Sequence, residues 1–337
     1  LKETRKKITP MYTKRNYSFW MMFKWSKTPF FMGLIYSATI GFIQYQGFDL
    51  ALPWEPVSII GIALAFYLGF KNNSSYDRLW EARKIWGGLV NDSRSLGAAI
   101  MSFVQGKNKA AIQKELIYRH IAWLTALRHQ LRLSKEWEHS ELRIKGKYFP
   151  VASEDYHNKL NKELGLFLSP AEVAVYDEKT NTATQILVTQ TKRLQELKDQ
   201  NYFDNFRHME FYQLIRSFYD GQGKAERIKN FPFPRQYAST ALWLNFTFCL
   251  FLPFGMLGFF PAVDIWLLCL CPFMSALLIW IYFLMEKIGD YSENPFEGSF
   301  NDVPITSIAR AIEIDLREMI DDTDIPAPLS SEKGFLL

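Results

Sequence analysis

Four stretches without a charged residue constrain the fold of this chain more than any other feature. They cover residues 28–48, 56–70, 236–263 and 265–285. A helix needs about 20 apolar residues to cross the hydrocarbon core of a membrane, so the first, third and fourth stretches are long enough. The second is too short for a span that faces lipid, but neighbouring helices can shield it. We therefore predict an all-α membrane protein with four transmembrane helices.

Basic residues predict how these helices are oriented. The connections after the first and third stretches contain only acidic charges, Asp49, Glu55 and Asp264. Lysine and arginine instead precede the first stretch, follow the second and precede the third. Cytoplasmic loops carry the excess of lysine and arginine. We expect a multi-pass protein of the cell (inner) membrane with both termini in the cytoplasm.

The mean hydropathy of −0.10 requires a large polar part beside the membrane helices. Helical periodicity over most of 73–235 predicts that this part is helical, and the orientation of the membrane helices places it in the cytosol. Ser169 and Glu172 form a helix-capping pattern within it. Gly221 and Gly223 predict a turn there. The predicted segments are a cytosolic N-terminus at 1–27, two membrane helices at 28–72, the cytosolic domain at 73–235, two membrane helices at 236–286 and a cytosolic C-terminus at 287–337.

Composition and motifs argue against several functions. The net charge of +4 is too small and too dispersed for nucleic-acid binding. The five histidines show no paired metal-ligand spacing, and no phosphate-binding or nucleophile motif is present. The sequence therefore predicts no enzyme and no cofactor.

The second stretch contains one apolar stripe. Ile62, Phe66 and Phe70 recur every four residues and therefore lie nearly in line on a helix. Around an axis shared by several copies, the stripe would form hydrophobic rings that can gate by dewetting. Spacing alone favours a different interpretation, in which the three residues are ordinary helix-packing residues.

Two longer motifs favour the pore interpretation of this stripe over ordinary helix packing. The first is PVSIIGIALAFYLGFKNNSSYDRLWEARKIWG at 56–87, and the second is ENPFEGSFNDVP at 293–304 followed by IARAIEIDLREMIDDTDIP at 308–326. Both resemble the bestrophin family in its bacterial branch, where an N-P-F segment after the fourth span is a landmark. The resemblance covers nearly the whole chain.

This resemblance implies a homopentameric channel for monovalent ions, with chloride as the ion of the family label. Its second spans would line one axial pore in the lipid membrane. The hydrophobic neck that acts as gate would map to Ile62, Phe66 and Phe70, and a second, cytosolic aperture would map to Phe206 or a neighbour. For Phe206 the alternative is an ordinary role in packing its helix against a neighbouring one.

In animal members of the family, the segment after the fourth span binds calcium through a dense run of aspartates. Asn294 and Asp302 match that pattern, whereas Ser299 and Asn301 stand where carboxylates are expected. Calcium needs several oxygen ligands, usually including carboxylates. The resemblance therefore does not favour calcium gating, and it leaves open whether a metal binds.

The sign of the ion also stays open. Animal and plant members pass anions, while at least some bacterial members favour monovalent cations. Lys71 facing the axis would favour anions, and Asp77 or Glu81 facing it would favour sodium or potassium. On a straight helix Asp77 lies about 20° from the direction of Phe70 and Lys71 about 100° away, which slightly favours cations. A non-conducting membrane scaffold or sensor is the alternative from another class.

Overall fold

The computed structural model describes residues 11–12, 16–139, 156–259, 265–298, 302–329 and 335–336. The chain divides into two compact units. We call Lys14–Arg78 with Pro232–Asn294 the apolar unit. We call Leu1–Thr13, Leu79–Phe231 and Pro295–Leu337 the polar unit.

The described residues form helices almost throughout, in agreement with the predicted class. The helices are α1 (Phe19–Tyr45), α2 (Trp54–Phe103), α3 (Lys109–Arg132), α4 (Tyr156–Leu164), α5 (Pro170–Asp177), α6 (Thr182–Asp199), α7 (Asn205–Asn230), α8 (Arg235–Phe259), α9 (Ile265–Asp290) and α10 (Ile305–Met319). A two-residue antiparallel pair, β1 (Met11–Tyr12) with β2 (Phe335–Leu336), completes the described structure.

The apolar unit contains α1, the first half of α2, α8 and α9. Its core includes Leu64 and Leu68 of α2, which are fully buried. Small residues bring the helices together, as expected for membrane helices. A Cβ on Gly33 would lie 2.9 Å from Ile279 of α9, and a Cβ on Gly61 would lie 2.7 Å from Phe248 of α8.

Three helical stretches among the described residues are long and apolar enough to cross a membrane: Trp54–Phe103, Asn205–Phe259 and Leu270–Asp290. The first contains the second stretch predicted from the sequence, and the other two overlap the third and fourth stretches. The first stretch is also helical, as α1, but it is not among the three. Its crossing of the membrane stays a prediction.

The polar unit packs around α3, most of whose residues are buried. Trp123 of α3 packs against Phe218 of α7, with ring centroids 5.0 Å apart, and its indole Nε1–H donates to Gln222 at 2.9 Å. Ser169 caps α5 by accepting from the Glu172 backbone N–H, which confirms the capping pattern.

One predicted segment boundary and one predicted turn fall inside continuous helices. The second apolar stretch and the segment after it form the single 50-residue helix α2. The predicted turn at Gly221 and Gly223 was wrong, because α7 continues through both to Asn230. A Cβ on Gly221 would lie 2.5 Å from a methyl group of Leu89, so this glycine allows a close approach between helices rather than a turn.

Candidate functional site

The predicted stripe is exposed on the surface of the single chain. Ile62, Phe66 and Phe70 are 58%, 67% and 71% exposed, while Leu64 and Leu68 on the same helix are fully buried. The three stripe residues are therefore not packing residues within their own chain. The core of the apolar unit fixes which way they face, since it holds the opposite side of α2.

The exposed face continues beyond both ends of the predicted stripe. Ile59, one turn before Ile62, is 66% exposed. Asn73 and Asp77 follow Phe70 on the same face and are also exposed. Sequence reasoning missed Ile59 and Asn73, although their helical spacing of three residues from Ile62 and Phe70 indicated them.

Lys71 does not share this face. Its side chain is buried in the apolar unit, and its Nζ lies 3.0 Å from Glu286 Oε1 of α9. Asn72 points the same way and donates to the Met285 carbonyl at 3.1 Å. The alternative in which Lys71 faces a pore axis and favours anions finds no support in this geometry, because Glu286 already neutralises the ammonium group inside the unit.

The two candidate acidic residues differ in their surroundings. Asp77 is exposed, and Asn73 Nδ2 approaches its carboxylate at 3.5 Å. The described part of the chain offers Asp77 no cation within salt-bridge distance. Glu81 is half-buried in the polar unit and pairs with Lys84 at 3.2 Å. Asp77 is thus an exposed negative charge on this face of α2 without a cation partner among the described residues.

Phe206 lies in the first turn of α7, in the polar unit. Asp204 caps this helix by accepting from the Arg207 backbone N–H at 2.9 Å. Phe206 is 86% exposed, more than any other large apolar side chain that the structure describes. Met209 and Tyr212 are exposed further along the helix. A packing role for Phe206 within its own chain is excluded by this exposure.

Asp302, one of the two residues that match the calcium pattern, is fully buried and fully hydrogen-bonded. Its Oδ1 accepts from the backbone N–H groups of Phe296 and Val303 at 2.7 and 2.6 Å. Its Oδ2 accepts from the Gly298 N–H at 2.6 Å and from Arg132 Nη1 at 2.5 Å. A carboxylate offers about four lone-pair positions, and these four donors use them. The Asp302 carboxylate therefore does not fit the role of a calcium ligand in this arrangement.

Arg132 supplies the positive charge beside Asp302. Both side chains are 0% exposed, and Arg132 Nη2 also donates to the Val303 carbonyl at 3.2 Å. Sequence reasoning missed Arg132, which lies 170 positions away in the chain. Asn294, the other matching residue, is buried in the apolar unit. Among the described residues no group of three or more histidines, cysteines or carboxylates could hold a metal ion.

Glu293 is a second buried carboxylate that sequence reasoning missed. It follows α9 in the apolar unit, and its Oε1 lies 3.2 Å from Arg235 Nη1 while its backbone carbonyl accepts from Arg78 at 2.8 Å. Burial and the nearby charge of Asp290 raise the pKa of Glu293 to about 7, although Lys71, Arg235 and Arg78 act in the opposite direction. Its Oε2 has no hydrogen-bond partner.

These features define a mainly helical protein with three stretches long and apolar enough to cross a membrane and an exposed apolar face on one of them. The family model described as "Bacterial/Fungal Bestrophin protein" matches residues 26–318. The chain belongs to this bestrophin family, as its two sequence motifs indicated.

Curated relatives match along most of their length. The voltage-dependent anion channel-forming protein YneE of Escherichia coli (strain K12) is 27% identical over 293 residues, which are 87% of this chain and 85% of YneE. The voltage-dependent anion channel-forming protein RSc3414 of Ralstonia nicotianae is 29% identical over 296 residues, which are 88% and 86% of the two chains.

Solved structures share the fold. A bacterial bestrophin homologue from Klebsiella pneumoniae superimposes with a TM-score of 0.73 at 21% identity, covering 88% of this chain and 98% of the other. A point variant of that homologue gives a TM-score of 0.74 at 21% identity, with coverage of 89% and 98%.

Proposed function

We propose that this chain is one subunit of a homopentameric channel for small monovalent ions, whose gate is a hydrophobic neck formed by Ile62, Phe66 and Phe70. The exposure of these three side chains carries the proposal. An isolated chain that exposes a large apolar face needs a partner or a special environment for it. Five copies around an axis would turn the face into three apolar rings, and a narrow apolar tube gates by dewetting.

The surroundings of the stripe support a water-filled path rather than a lipid-facing surface. Asn73 and Asp77 continue the same exposed face with an amide and a carboxylate. Such groups are costly in hydrocarbon and common along ion pathways. The curated relatives, which are named as channel-forming proteins, support conduction as well.

Anions are the first candidate for the transported ion, because the curated relatives are named as anion channel-forming. Monovalent cations are the second candidate, and one observation favours them. Asp77 is an exposed charge on the face of the stripe, whereas Lys71 is buried against Glu286. A ring of carboxylates near a pore favours cations.

Three further features belong to the same proposal. Phe206 forms the second, cytosolic aperture, which its exposure supports. The protein lies in the inner membrane with both termini in the cytoplasm. Conduction needs no calcium, because Arg132 and backbone N–H groups already satisfy Asp302.

The reversal potential of the purified protein in planar bilayers under a KCl gradient tests whether the transported ion is an anion or a cation. A value near the chloride equilibrium potential supports the anion channel. A value near the potassium potential supports the cation channel, and the variant D77N then shifts it toward zero. A cation-selective protein whose D77N variant keeps the same reversal potential would contradict the role given to Asp77.

A matched pair of variants tests the neck. I62A/F66A widens the proposed constriction, so we expect a several-fold higher single-channel conductance. I35A/F42A removes the same atoms from two residues of α1 that are equally exposed, and we expect no change in conductance. An equal rise in conductance in both variants would contradict the role of the stripe as the neck. No current from the wild type or from either correctly assembled variant would leave the membrane scaffold as the better interpretation.

A further inference from the structure

The beginning of α1 carries an exposed face that ion conduction does not explain. Trp20, Lys24, Lys27 and Phe31 are all exposed. At about 100° per residue these four positions fall within an arc of about 60°. One narrow face of the helix therefore presents an aromatic ring, two ammonium groups and a second aromatic ring.

The orientation of this face is fixed by packing on the other side of α1. Trp25 and Ser26 are buried, and Ser26 Oγ accepts from Trp280 Nε1 of α9 at 2.8 Å. The Trp280 ring also contacts Phe23, with centroids 5.8 Å apart. These contacts hold α1 against α9 and leave the lysine-bearing face directed outward.

The two lysines lack a protein partner. No carboxylate of the described residues lies within salt-bridge distance of Lys24 or Lys27, which contrasts with the pairing of Lys71 by Glu286. The sequence contributes to this, because residues 4–48 contain seven lysines and arginines and no acidic residue. Among the described residues, the positive charge of this face is therefore not balanced by a carboxylate.

The depth of the lysines matches a membrane surface. Beyond Lys27 the same face of α1 exposes only uncharged side chains, among them Ile35, Phe42 and Tyr45. From Lys27 to Tyr45 the helix rises about 27 Å, close to the thickness of a hydrocarbon core of about 30 Å. Its contacts with α9, an apolar helix long enough to span, give α1 the same depth.

We propose that Trp20, Lys24, Lys27 and Phe31 form a binding surface for the headgroup of an anionic phospholipid in the cytoplasmic leaflet. The ammonium groups of Lys24 and Lys27 bind the lipid phosphate, the Trp20 ring lies at the headgroup level, and Phe31 contacts the acyl chains. Basic residues just cytoplasmic of a membrane helix are attracted to anionic lipids in this way. This inference rests on the membrane orientation proposed above, but not on whether the protein conducts ions.

Native mass spectrometry of the delipidated protein, titrated with phosphatidylglycerol or phosphatidylcholine, tests the proposal. We expect phosphatidylglycerol to bind the wild type more tightly than phosphatidylcholine does. Each surface lysine contributes roughly a 5-fold gain in affinity for an anionic lipid, so K24Q/K27Q should bind phosphatidylglycerol about 25-fold more weakly. Inorganic phosphate at the same concentration should not displace the lipid.

Two further variants keep the test decisive. K107Q/K109Q removes two exposed lysines of the polar unit and should keep wild-type binding. K24R/K27R keeps the charge and should retain the preference for phosphatidylglycerol. Unchanged binding by K24Q/K27Q, an equal loss in K107Q/K109Q, an equal loss in K24R/K27R, or displacement of the lipid by phosphate would each overturn the proposal.

Discussion

Helix α2 runs through both units, and its two halves expose different side chains. In the polar half, Trp86 and Leu89 are buried and exposed positions such as Lys84 carry charge. In the apolar half, Leu68 is equally buried, but an exposed position such as Phe70 is aromatic. Both halves bury one apolar face. They differ in the opposite face, which carries charged side chains in the polar half and apolar side chains in the apolar half.

This difference shows which part of the helix is complete within one chain. Charged side chains on the outer face of the polar half are stable in water. Phenylalanine and isoleucine on the outer face of the apolar half gain nothing from water, so that face needs a partner or a non-aqueous environment. The same amphipathic pattern thus completes a core in one half and leaves an apolar face open in the other.

The largest effect should come from the buried charge in the polar unit. Replacing Arg132 with methionine leaves the Asp302 carboxylate buried without its cation, and breaking a buried pair in this way costs about 3–5 kcal/mol. Denaturant unfolding in detergent measures the loss. The control is K224M, which removes one partner of the exposed Lys224–Asp220 pair and should cost less than about 1 kcal/mol. Equal losses would mean that Arg132 is not needed to balance Asp302.

A second pair of variants compares the two halves of α2 directly. Leu89→Ala removes a buried side chain that packs against Gly221, and such truncations cost about 2–5 kcal/mol. Phe66→Ala removes an exposed side chain, so unfolding should change by less than about 1 kcal/mol. The unfolding free energies of both variants check this. A large loss in Phe66→Ala would mean that other subunits pack tightly against the stripe.

The same comparison explains what the sequence could predict. Periodicity identified the aligned residues Ile62, Phe66 and Phe70, because spacing alone determines which residues share a helix face. It could not tell whether that face is buried or exposed, since this depends on α8 and α9 from the far end of the chain. Spacing also placed Lys71 away from the stripe. It could not show that Glu286 pairs with Lys71.

Local sequence signals gave a wrong prediction where tertiary packing stabilises a helix against them. Glycine at 221 and 223 weakens a helix by roughly 1 kcal/mol each, which favoured a turn. The helix persists because its buried side chains, Phe218 and Ala225 among them, belong to the core of the polar unit. The Arg132–Asp302 pair could not be predicted from the sequence for another reason. No short-range pattern relates two residues that are 170 positions apart.

The pH dependence of stability tests the buried carboxylate in the apolar unit. The folded protein raises the pKa of Glu293 from 4.5 to about 7, mainly through burial, so the folded state holds this proton more tightly than the unfolded state. Stability from this group is therefore complete below about pH 4.5 and is lost as the pH rises through 7, by at most about 3 kcal/mol. Thermal unfolding between pH 5 and 8 measures this slope.

The variant E293Q should flatten that slope, because glutamine does not titrate. Other groups of the chain contribute a background that both proteins share, so the difference between the two pH profiles isolates Glu293. Parallel profiles would mean that Glu293 is ionised across the whole range and that Arg235 compensates its burial.

The smallest effect separates two glycines of α7. Gly223 is exposed with no atom within 4 Å of a Cβ position, so Gly223→Ala should stabilise the protein by about 0.5–1 kcal/mol through helix propensity. Gly221→Ala gains the same propensity but forces the Leu89 side chain to move. We expect Gly221→Ala to have a lower unfolding free energy than Gly223→Ala. In the L89A background the clash is removed, so adding Gly221→Ala there should stabilise the protein relative to L89A alone. A destabilising Gly223→Ala would indicate that another subunit lies against this open side of α7, which would extend to the polar unit the dependence on assembly inferred for the stripe.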